Sequence, residues 1–233
     1  METPDLASVI ANLDADQAGR LRAFVAALLA ENERVNLTAV RDADTAWRVH
    51  VEDSLALLTL LNDRPIRSLL DLGSGGGVPG LPLACVLPNT RITLLDATAK
   101  KIAACDRIAG SLALTNVSCI AGRAEDLAHE AAHREKFDAV TARAVAKLPL
   151  LIEWAAGFLI NGGSAFFFKT PAAEHEIADA RRAAEICRMG YVVDYRYRLT
   201  GETDDRVIFH YEKLAPLPIR LPRSSQAAQQ KPL

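Results

Sequence analysis

The sequence contains no run of apolar residues long enough to span a membrane, although 50% of its 233 residues are hydrophobic. A transmembrane helix needs about 20 consecutive apolar residues, so the sequence predicts no membrane-spanning helix. The first ten residues, METPDLASVI, lack the basic start and apolar middle of a secretory signal. The composition therefore predicts a cytoplasmic globular protein, expected to be a monomer, with enough apolar residues for a substantial core.

Cysteine is scarce as well. The four cysteines are widely separated, they form no Cys-x-x-Cys pair, and no histidine stands at ligand spacing from them. Structural zinc sites and disulfide frameworks both need regular spacing of this kind. We therefore expect buried, reduced thiols and no bound metal.

The sequence also has no large excess of charge of either sign, since it contains 27 basic and 29 acidic residues and its net charge is −2. Proteins that coat nucleic acid along their whole surface are usually strongly basic, so that class is excluded. A local basic face remains possible. In the tail from Lys213 to the end, the charged residues are all basic, which fits either a solvated tail or a nucleic-acid contact.

The most informative stretch that is present runs from Leu69 to Gly80, LLDLGSGGGVPG. Apolar residues around a single acid are followed by four glycines within five positions, a pattern that predicts a buried strand leading into a tight loop. The apolar segment after the loop predicts a packed helix. A strand, a glycine loop and a helix in this order are typical of a nucleotide or cofactor site.

The loop matches neither common phosphate-binding fingerprint. No lysine follows the glycines as in a P-loop, and Val78 stands where the dinucleotide fingerprint needs its third glycine. The second predicted strand, RITLL, ends at Asp96, about 20 residues after the loop, where nucleoside-binding folds place a carboxylate for the ribose hydroxyls. Asp96 also fits the N-cap of the next helix, and both roles are compatible.

From Ile66 onward, strands and helices alternate at the spacing of right-handed βαβ units, which predicts a mostly parallel, doubly wound sheet. Two final strands, joined by GETDD, alternate polar and apolar residues as an antiparallel pair does. Amphipathic helices precede the first strand, and a proline-rich end is expected to be extended or disordered. We divide the chain into a helical cap (residues 1–63), a Rossmann-like domain with seven strands (64–213) and a basic, proline-rich tail (214–233).

Ligands of an open α/β sheet bind outside the carboxyl ends of its strands. Ala124 and Glu125 follow the third strand and fit either an adenine edge or a helix N-cap. Arg143 ends the fourth strand and Lys169 the fifth, and each must face a ligand, a carboxylate or solvent, because burial of an unpaired charge is costly. For Arg143, the alternatives are nucleic-acid recognition and a salt bridge to Asp71 or Asp96.

General-base chemistry finds little support. His50 and Asp53 fit a base and its partner, but a lone histidine near a helix face is more often structural. The chain has neither the NPPY or DPPY stretch of amino-group methyltransferases nor the Pro-Cys nucleophile of cytosine C5 chemistry. A methyltransferase that lacks both should methylate an atom that needs no deprotonation.

Seven ordered blocks carry a family likeness: NLTAVRD from Asn36, HVEDSLAL from His50, LDLGSGGGVPGLPL from Leu70, LLD ending at Asp96, GRAE ending at Glu125, TARA from Thr141, and Lys169. Together they resemble the bacterial small-subunit ribosomal RNA guanine-N7 methyltransferase family, also called glucose-inhibited division protein B. The resemblance implies a class I S-adenosylmethionine-dependent methyltransferase fold, and methylation of a guanine N7 in the 530 loop of 16S ribosomal RNA, free or in the 30S subunit.

The resemblance also implies roles for individual residues. Cofactor contacts are implied for Gly73, Gly75, Val78, Asp96, Ala124, Glu125 and Arg143. For Arg143 the resemblance also implies an orienting and electrostatic part in the reaction, and for His50, Lys169 and Arg223 contacts with RNA. Two departures from the family pattern concern the RNA contacts: Thr170-Pro171 replaces a usual glycine, and the tail lacks the more basic ending. The alternatives are a methyltransferase for another RNA, a protein or a small molecule, and a regulator that holds the cofactor without chemistry.

Overall fold

The computed structural model describes residues 5–61, 66–230 and 233. The break at Arg64-Pro65, where we place the first domain boundary, and the closing Lys231-Pro232 lie outside the described residues. In the described part of the chain, no helix is long and apolar enough to cross a membrane.

The described residues form one seven-stranded sheet with the order β3-β2-β1-β4-β5-β7-β6. Neighbouring strands from β3 to β5 are parallel, and β7 is antiparallel to both β5 and β6. This confirms the predicted mostly parallel sheet with a final antiparallel pair. The strands are β1 (Ser68–Leu72), β2 (Arg91–Asp96), β3 (Val117–Ala121), β4 (Phe137–Arg143), β5 (Leu159–Lys169), β6 (Met189–Tyr197) and β7 (Arg206–Lys213).

Helices cover both faces of this sheet and flank its ends. They are α1 (Leu6–Ala11), α2 (Ala15–Asn32), α3 (Ala43–Ala46), α4 (Asp53–Leu55), α5 (Gly80–Val86), α6 (Ala99–Ser111), α7 (Ala124–Leu127), α8 (Leu148–Phe158), α9 (Ile177–Ile186) and α10 (Ser225–Gln230). A π-helical turn (Trp47–Glu52) joins α3 to α4, and 3-10 turns (Ala56–Leu60 and Pro171–Glu176) follow α4 and precede α9.

Two apolar cores lie on opposite faces of the sheet. One unites side chains of α2, α5 and α6 with β1 and β2, and includes Leu28, Leu81 and Ile108. The other unites α8 and α9 with β4, β5 and β7. The amphipathic helices before β1 therefore share a core with the sheet. At the start of α2, Asp14 accepts from the Gln17 N–H while the Gln17 side chain accepts from the Asp14 N–H, a reciprocal cap that separates α1 from α2.

The alternative of a disordered tail is wrong for its described part, and that of an extended end is wrong where α10 forms. Leu217 and Leu221 are buried in the second core, and the Arg134 guanidinium donates to the carbonyls of both at 3.0 and 2.8 Å. Prolines prevent regular pairing in this segment, so a side chain from elsewhere satisfies its backbone carbonyls instead. The tail is therefore part of the folded body.

Candidate active site

The glycine loop after β1 is tightly constrained. Gly73, Gly75 and Gly77 have φ values of +72°, +55° and +83°, in the left-handed region that glycine tolerates far better than other residues. The Gly73 N–H donates to the Leu95 carbonyl at 2.7 Å, which anchors the loop to the end of β2. A Cβ added at Gly73 would lie 2.6 Å from Val145 Cγ2. The loop thus packs directly against the segment that follows β4.

A fully buried acid lies beneath the loop. Asp71 Oδ2 accepts from the Gly80 N–H at 2.8 Å, whereas Oδ1 has no hydrogen-bond partner among the described residues. Burial raises the pKa of Asp71 to about 7, against the opposing effects of the Gly80 hydrogen bond and the Arg143 charge. Asp71 therefore exchanges its proton near neutral pH, unlike an exposed carboxyl.

Asp96 holds the glycine loop as well as the start of α6. Its Oδ2 accepts from the Gly75 N–H at 3.0 Å, and its Oδ1 accepts from the Thr98 N–H at 2.8 Å. The N-cap residue of α6 is Thr98, and no side chain caps the helix, so Asp96 forms a turn just before the helix and is not its N-cap. A carboxylate has about four lone-pair positions, so the two hydrogen bonds leave acceptor capacity for a ligand.

A cavity of about 310 Å³ opens above the loop. Five of the residues predicted from the sequence to contact a cofactor line it: Gly73, Gly75, Val78, Asp96 and Arg143. His50, predicted as an RNA contact, lines the same cavity. The structure thus brings together the glycine loop after β1 and side chains from β2, β4 and the π-helical turn at one edge of the sheet.

A smaller cavity of about 160 Å³ continues beyond Gly73 and Val145, which line both spaces. Ala124 and Glu125, the two predicted residues at the start of α7, line it. The indole of Trp154 lines it too, and its N–H is buried without a partner among the described residues. Two neighbouring cavities that share Gly73 and Val145 as lining residues suit an elongated ligand that bends over Gly73.

Arg143 lies at the centre of a polar network. One terminal nitrogen, Nη1, donates to the Val49 carbonyl at 2.7 Å and to Asp53 Oδ2 at 2.6 Å, and the other, Nη2, donates to His50 Nδ1 at 3.1 Å. Tyr197 completes the network by donating to Asp53 Oδ1 at 2.6 Å. The ion-pair partner of Arg143 is therefore Asp53, and neither Asp71 nor Asp96, the acids considered from the sequence, forms this pair.

His50 is neutral and has no free acceptor nitrogen. Burial and, to a smaller extent, the Arg143 charge lower the pKa of His50 to about 4. Its ring contacts Arg143 through Nδ1 and Thr38 through Nε2, and Asp53 binds Arg143 and Tyr197 instead. His50 and Asp53 therefore do not form a general base and its hydrogen-bonded partner in the structure.

Lys169, the predicted RNA contact at the end of β5, borders a third cavity of about 400 Å³ on the other side of His50 and Arg143. Its ammonium donates to the Ala146 carbonyl at 2.7 Å and pairs with Glu176 at 3.1 Å. Lys169 thus fixes the segment after β4 to the turn before α9. It lies beside the other candidate residues, within reach of a ligand in this third cavity.

Arg223 lies apart from these three cavities. Its guanidinium pairs with Glu153 at 2.7 Å, and Glu153 is only 1% exposed. The bond holds the tail against α8. Among the described residues, no cluster of histidine, cysteine and acidic side chains could hold a metal ion.

Sequence inspection missed Thr38, Tyr197 and Trp154 as residues of the site. Thr38 is joined to Arg143 through His50, and Tyr197 is joined to it through Asp53. The His50–Arg143 and Tyr197–Asp53 contacts span 93 and 144 positions of the chain, whereas Thr38 lies only 12 positions from His50. Thr38 lies within the block from Asn36 to Asp42 that carries the family likeness, a signal that was available. Tyr197 and Trp154 lie outside all seven blocks.

A sequence model of the family described as GidB, rRNA small subunit methyltransferase G, matches residues 17–201. A protein of Moorella thermoacetica named ribosomal RNA small subunit methyltransferase G is 35% identical over 95% of this chain and 92% of its own. A protein of the same name from Sorangium cellulosum is 44% identical over 75% of this chain and 73% of its own.

Solved structures share the fold at low sequence identity. A putative O-methyltransferase from Klebsiella pneumoniae is 14% identical and superposes with a TM-score of 0.59, covering 91% of this chain and 96% of its own. An O-methyltransferase from Bacillus cereus, solved in complex with SAH, is 17% identical, with a TM-score of 0.57 and coverage of 82% and 91%. These neighbours identify the architecture as that of methyltransferases.

Proposed function

The chain belongs to the rRNA small subunit methyltransferase G family, and from this premise we propose that it transfers a methyl group from S-adenosylmethionine to 16S ribosomal RNA. The acceptor that we propose is N7 of a guanine in the 530 loop, and the reaction takes place in the cytoplasm, where small subunits assemble. The single observation that carries the proposal is the family match over 185 of 233 residues, from position 17 to position 201.

The residues of the site fit the cofactor. The two cavities that meet at Gly73 and Val145 have room for the two ends of a nucleoside joined to an amino acid. A Cβ on Gly73 would meet Val145 where the two cavities join. Asp96 keeps lone pairs for the ribose hydroxyls, and Ala124 and Glu125 would border the adenine.

Ion pairing moderates the positive charge of the site. Asp53 pairs with Arg143 at 2.6 Å and also lies 3.6 Å from Arg206. His50 is neutral, and Asp96 and Lys101 line the cavity with opposite charges. When bound, S-adenosylmethionine supplies a methyl group on a positively charged sulfur. The Asp53 carboxylate therefore weakens the repulsion between the Arg143 guanidinium and this ligand, while the guanidinium keeps its directional N–H donors.

The protein does not need a base for this reaction. Guanine N7 carries a lone pair and no proton, so alignment and exclusion of water are enough for in-line transfer. Both ring nitrogens of His50 are engaged by Thr38 and Arg143, and the chain lacks the amino-group and cytosine C5 motifs. Arg143, held by three partners, has a fixed orientation from which it can position the reactants.

Mapping of methylated guanines tests the proposal. Ribosomal RNA from cells with and without this protein is compared for N7-methylguanine by cleavage at methylated positions. We expect one 16S position in the 530 loop to lose its methyl group in the deletion strain and to regain it on complementation. Unchanged methylation, together with no transfer by the purified protein to naked RNA or 30S particles, would favour a different substrate or a non-catalytic role.

A further inference from the structure

A chain of hydrogen bonds runs from β6 to the wall of the 310 Å³ cavity. Tyr197 donates to Asp53, and Asp53 accepts from Arg143, both at 2.6 Å. Arg143 is 3.1 Å from His50 Nδ1, and His50 Nε2 is 2.8 Å from Thr38 Oγ1. Thr38 is the last member of this chain and lines the cavity.

The direction of each bond is fixed by chemistry. A guanidinium can only donate, so Nδ1 of the neutral His50 must accept from Arg143, and its Nε2 must carry the ring proton. Thr38 Oγ1 then accepts from His50, and it also accepts from the Val40 N–H at 3.1 Å. Because a hydroxyl has two lone pairs and one proton, Thr38 is left with a proton to donate. No described residue accepts it.

The backbone holds this donor in place. The amide of Asn32, at the end of α2, donates to the Thr38 carbonyl at 2.9 Å and accepts from the N–H groups of Leu37 and Thr38 at 2.8 and 3.0 Å. The loop that carries Thr38 is therefore fixed to a buried side chain of a long helix. A preorganised donor loses little entropy when it binds a ligand.

Arg143 brings further donors to the same cavity. Its three hydrogen bonds occupy both Nη1 protons and one Nη2 proton, which leaves two of the five N–H groups of a guanidinium without an acceptor among the described residues. Thr38 and Arg143 both line the cavity, and unused hydroxyl and guanidinium donors are groups that suit an oxyanion. The third cavity, beyond His50, is lined by Arg143 but not by Thr38.

We propose that the Thr38 hydroxyl binds the carboxylate of the amino-acid end of the cofactor, and that His50 keeps this hydroxyl in the donor role. This inference rests on the proposed function, because the 310 Å³ cavity is the half of the site that holds the glycine loop and Asp96. The carboxylate is the oxyanion that S-adenosylmethionine carries. Thr38 is thus a cofactor-specificity residue that separates S-adenosylmethionine from analogues without the carboxylate.

Calorimetric titration of the full chain with two ligands tests this assignment. The ligands are S-adenosylhomocysteine and its decarboxylated analogue, in which the amino-acid carboxylate is replaced by hydrogen. Because hydrogen bonds to charged groups are strong, Thr38→Val should weaken S-adenosylhomocysteine binding by about 10-fold to 100-fold and binding of the analogue by less than about 3-fold. Thr38→Ser should bind both ligands within about 3-fold of the wild type.

The analogue controls for local damage, because Thr38→Val also removes the acceptor of His50 and Val40, and such a loss would weaken both ligands equally. Thr115→Val, at an exposed threonine before β3, is the matched variant and should change neither affinity. Equal loss for both ligands, or no loss, overturns the inference. An unchanged cofactor affinity together with a raised KM for RNA also overturns it, because the Thr38 hydroxyl would then bind the guanine base of the RNA. A wild-type protein that fails to bind S-adenosylhomocysteine would overturn the proposed function itself.

Discussion

At the scale of single residues, the protein controls the geometry of the Arg143 side chain closely. Its guanidinium is fixed by the Val49 carbonyl, Asp53 and His50. A lysine keeps the charge but has no planar fork, so it cannot hold these three partners together. The orientation of Arg143, rather than its charge alone, is therefore what the network preserves.

We expect Arg143→Lys to lower methyl transfer roughly 100-fold, the usual effect of losing one preorganised donor. Arg143→Ala should lose at least as much and also lower the free energy of unfolding, because it leaves Asp53 buried with fewer partners. Single-turnover transfer to 30S particles and urea denaturation measure the two effects. Transfer by Arg143→Lys within about 3-fold of the wild type would remove Arg143 from its orienting role.

Asp71 gives the stability of the protein a specific pH dependence. Its pKa is about 7 in the folded state, against 3.8 for the unperturbed group, so the folded state keeps a proton that the unfolded state has already lost. The contribution of Asp71 to stability therefore falls as the pH rises from about 4 to about 7.

Asp71→Asn should remove this dependence, since the asparagine oxygen still accepts from Gly80 and does not ionise. Relative to the variant, the wild type should lose on the order of a few kcal/mol of unfolding free energy between about pH 4.5 and pH 7.5. Urea denaturation at several pH values measures the difference. A difference that stays constant over this window would contradict a raised pKa at Asp71.

At the scale of elements, two positions of the glycine loop would strain a substituted alanine for different reasons, and the sequence alone cannot distinguish them. Gly73 and Gly75 both have positive φ. A Cβ at Gly73 would meet Val145 at 2.6 Å, whereas at Gly75 the nearest atom would be the Gly73 carbonyl oxygen at 3.9 Å. Alanine is strained by backbone conformation at both positions and by a close contact only at the first.

We expect Gly75→Ala to lower the free energy of unfolding by about 1 to 2 kcal/mol, the left-handed penalty of a non-glycine residue. Gly73→Ala should lower the free energy of unfolding by more than this. Adding Val145→Ala should restore the additional loss in the Gly73→Ala protein, and should restore nothing in the Gly75→Ala protein. Denaturant titration of the three single and two double variants measures this. Equal losses for the two glycine variants would show that the Val145 contact relaxes freely.

The π-helical turn is the other element that shapes the site. It places His50 at the cavity wall and, with α4, brings Asp53 to Arg143. The sequence predicts a helix from about Thr45 to Leu61 that Asp53 and Ser54 interrupt, and this pattern does not predict a π-helical turn. Turns of this kind are frequent at functional sites, and no local residue signal reveals them.

At the scale of the whole molecule, the tail closes the second core. Lys213 is fully buried and donates to Glu135 at 2.5 Å and to the carbonyls of Ala156 and Leu159, both at 2.8 Å. Arg223 then pairs with Glu153 of α8. Two basic residues of this segment, Lys213 and Arg223, form ion pairs within the folded protein. The positive charge of the segment is therefore a poor guide to contacts with RNA.

Arg223→Ala should lower the free energy of unfolding by about 3 kcal/mol, because it leaves a buried carboxylate unpaired. Arg220→Ala, three positions earlier at an exposed site, should stay within about 0.5 kcal/mol of the wild type. Thermal and urea denaturation of both variants without RNA measure this difference. A stable Arg223→Ala protein with weakened RNA binding would support the RNA contact instead.

The sequence by itself determined the order of the strands along the chain, the glycine loop and the acids and arginine at the strand ends. Period-two and helical patterns depend on neighbouring residues, and a cluster of glycines predicts a loop with positive φ at some of its positions, here Gly73, Gly75 and Gly77. The seven blocks that resemble the family also implied the reaction, a methyl transfer to ribosomal RNA. These signals are local, so they survive without knowledge of the fold.

Only the tertiary structure decided which partners these residues have. Arg143 pairs with Asp53, 90 positions away, Thr38 becomes a donor through His50, and Arg223 binds Glu153 rather than remaining in a solvated tail. Each outcome depends on which charged groups are buried next to each other, because a buried charge must find a counter-charge nearby. That choice is made by packing across the sheet, and no local pattern of residues records it.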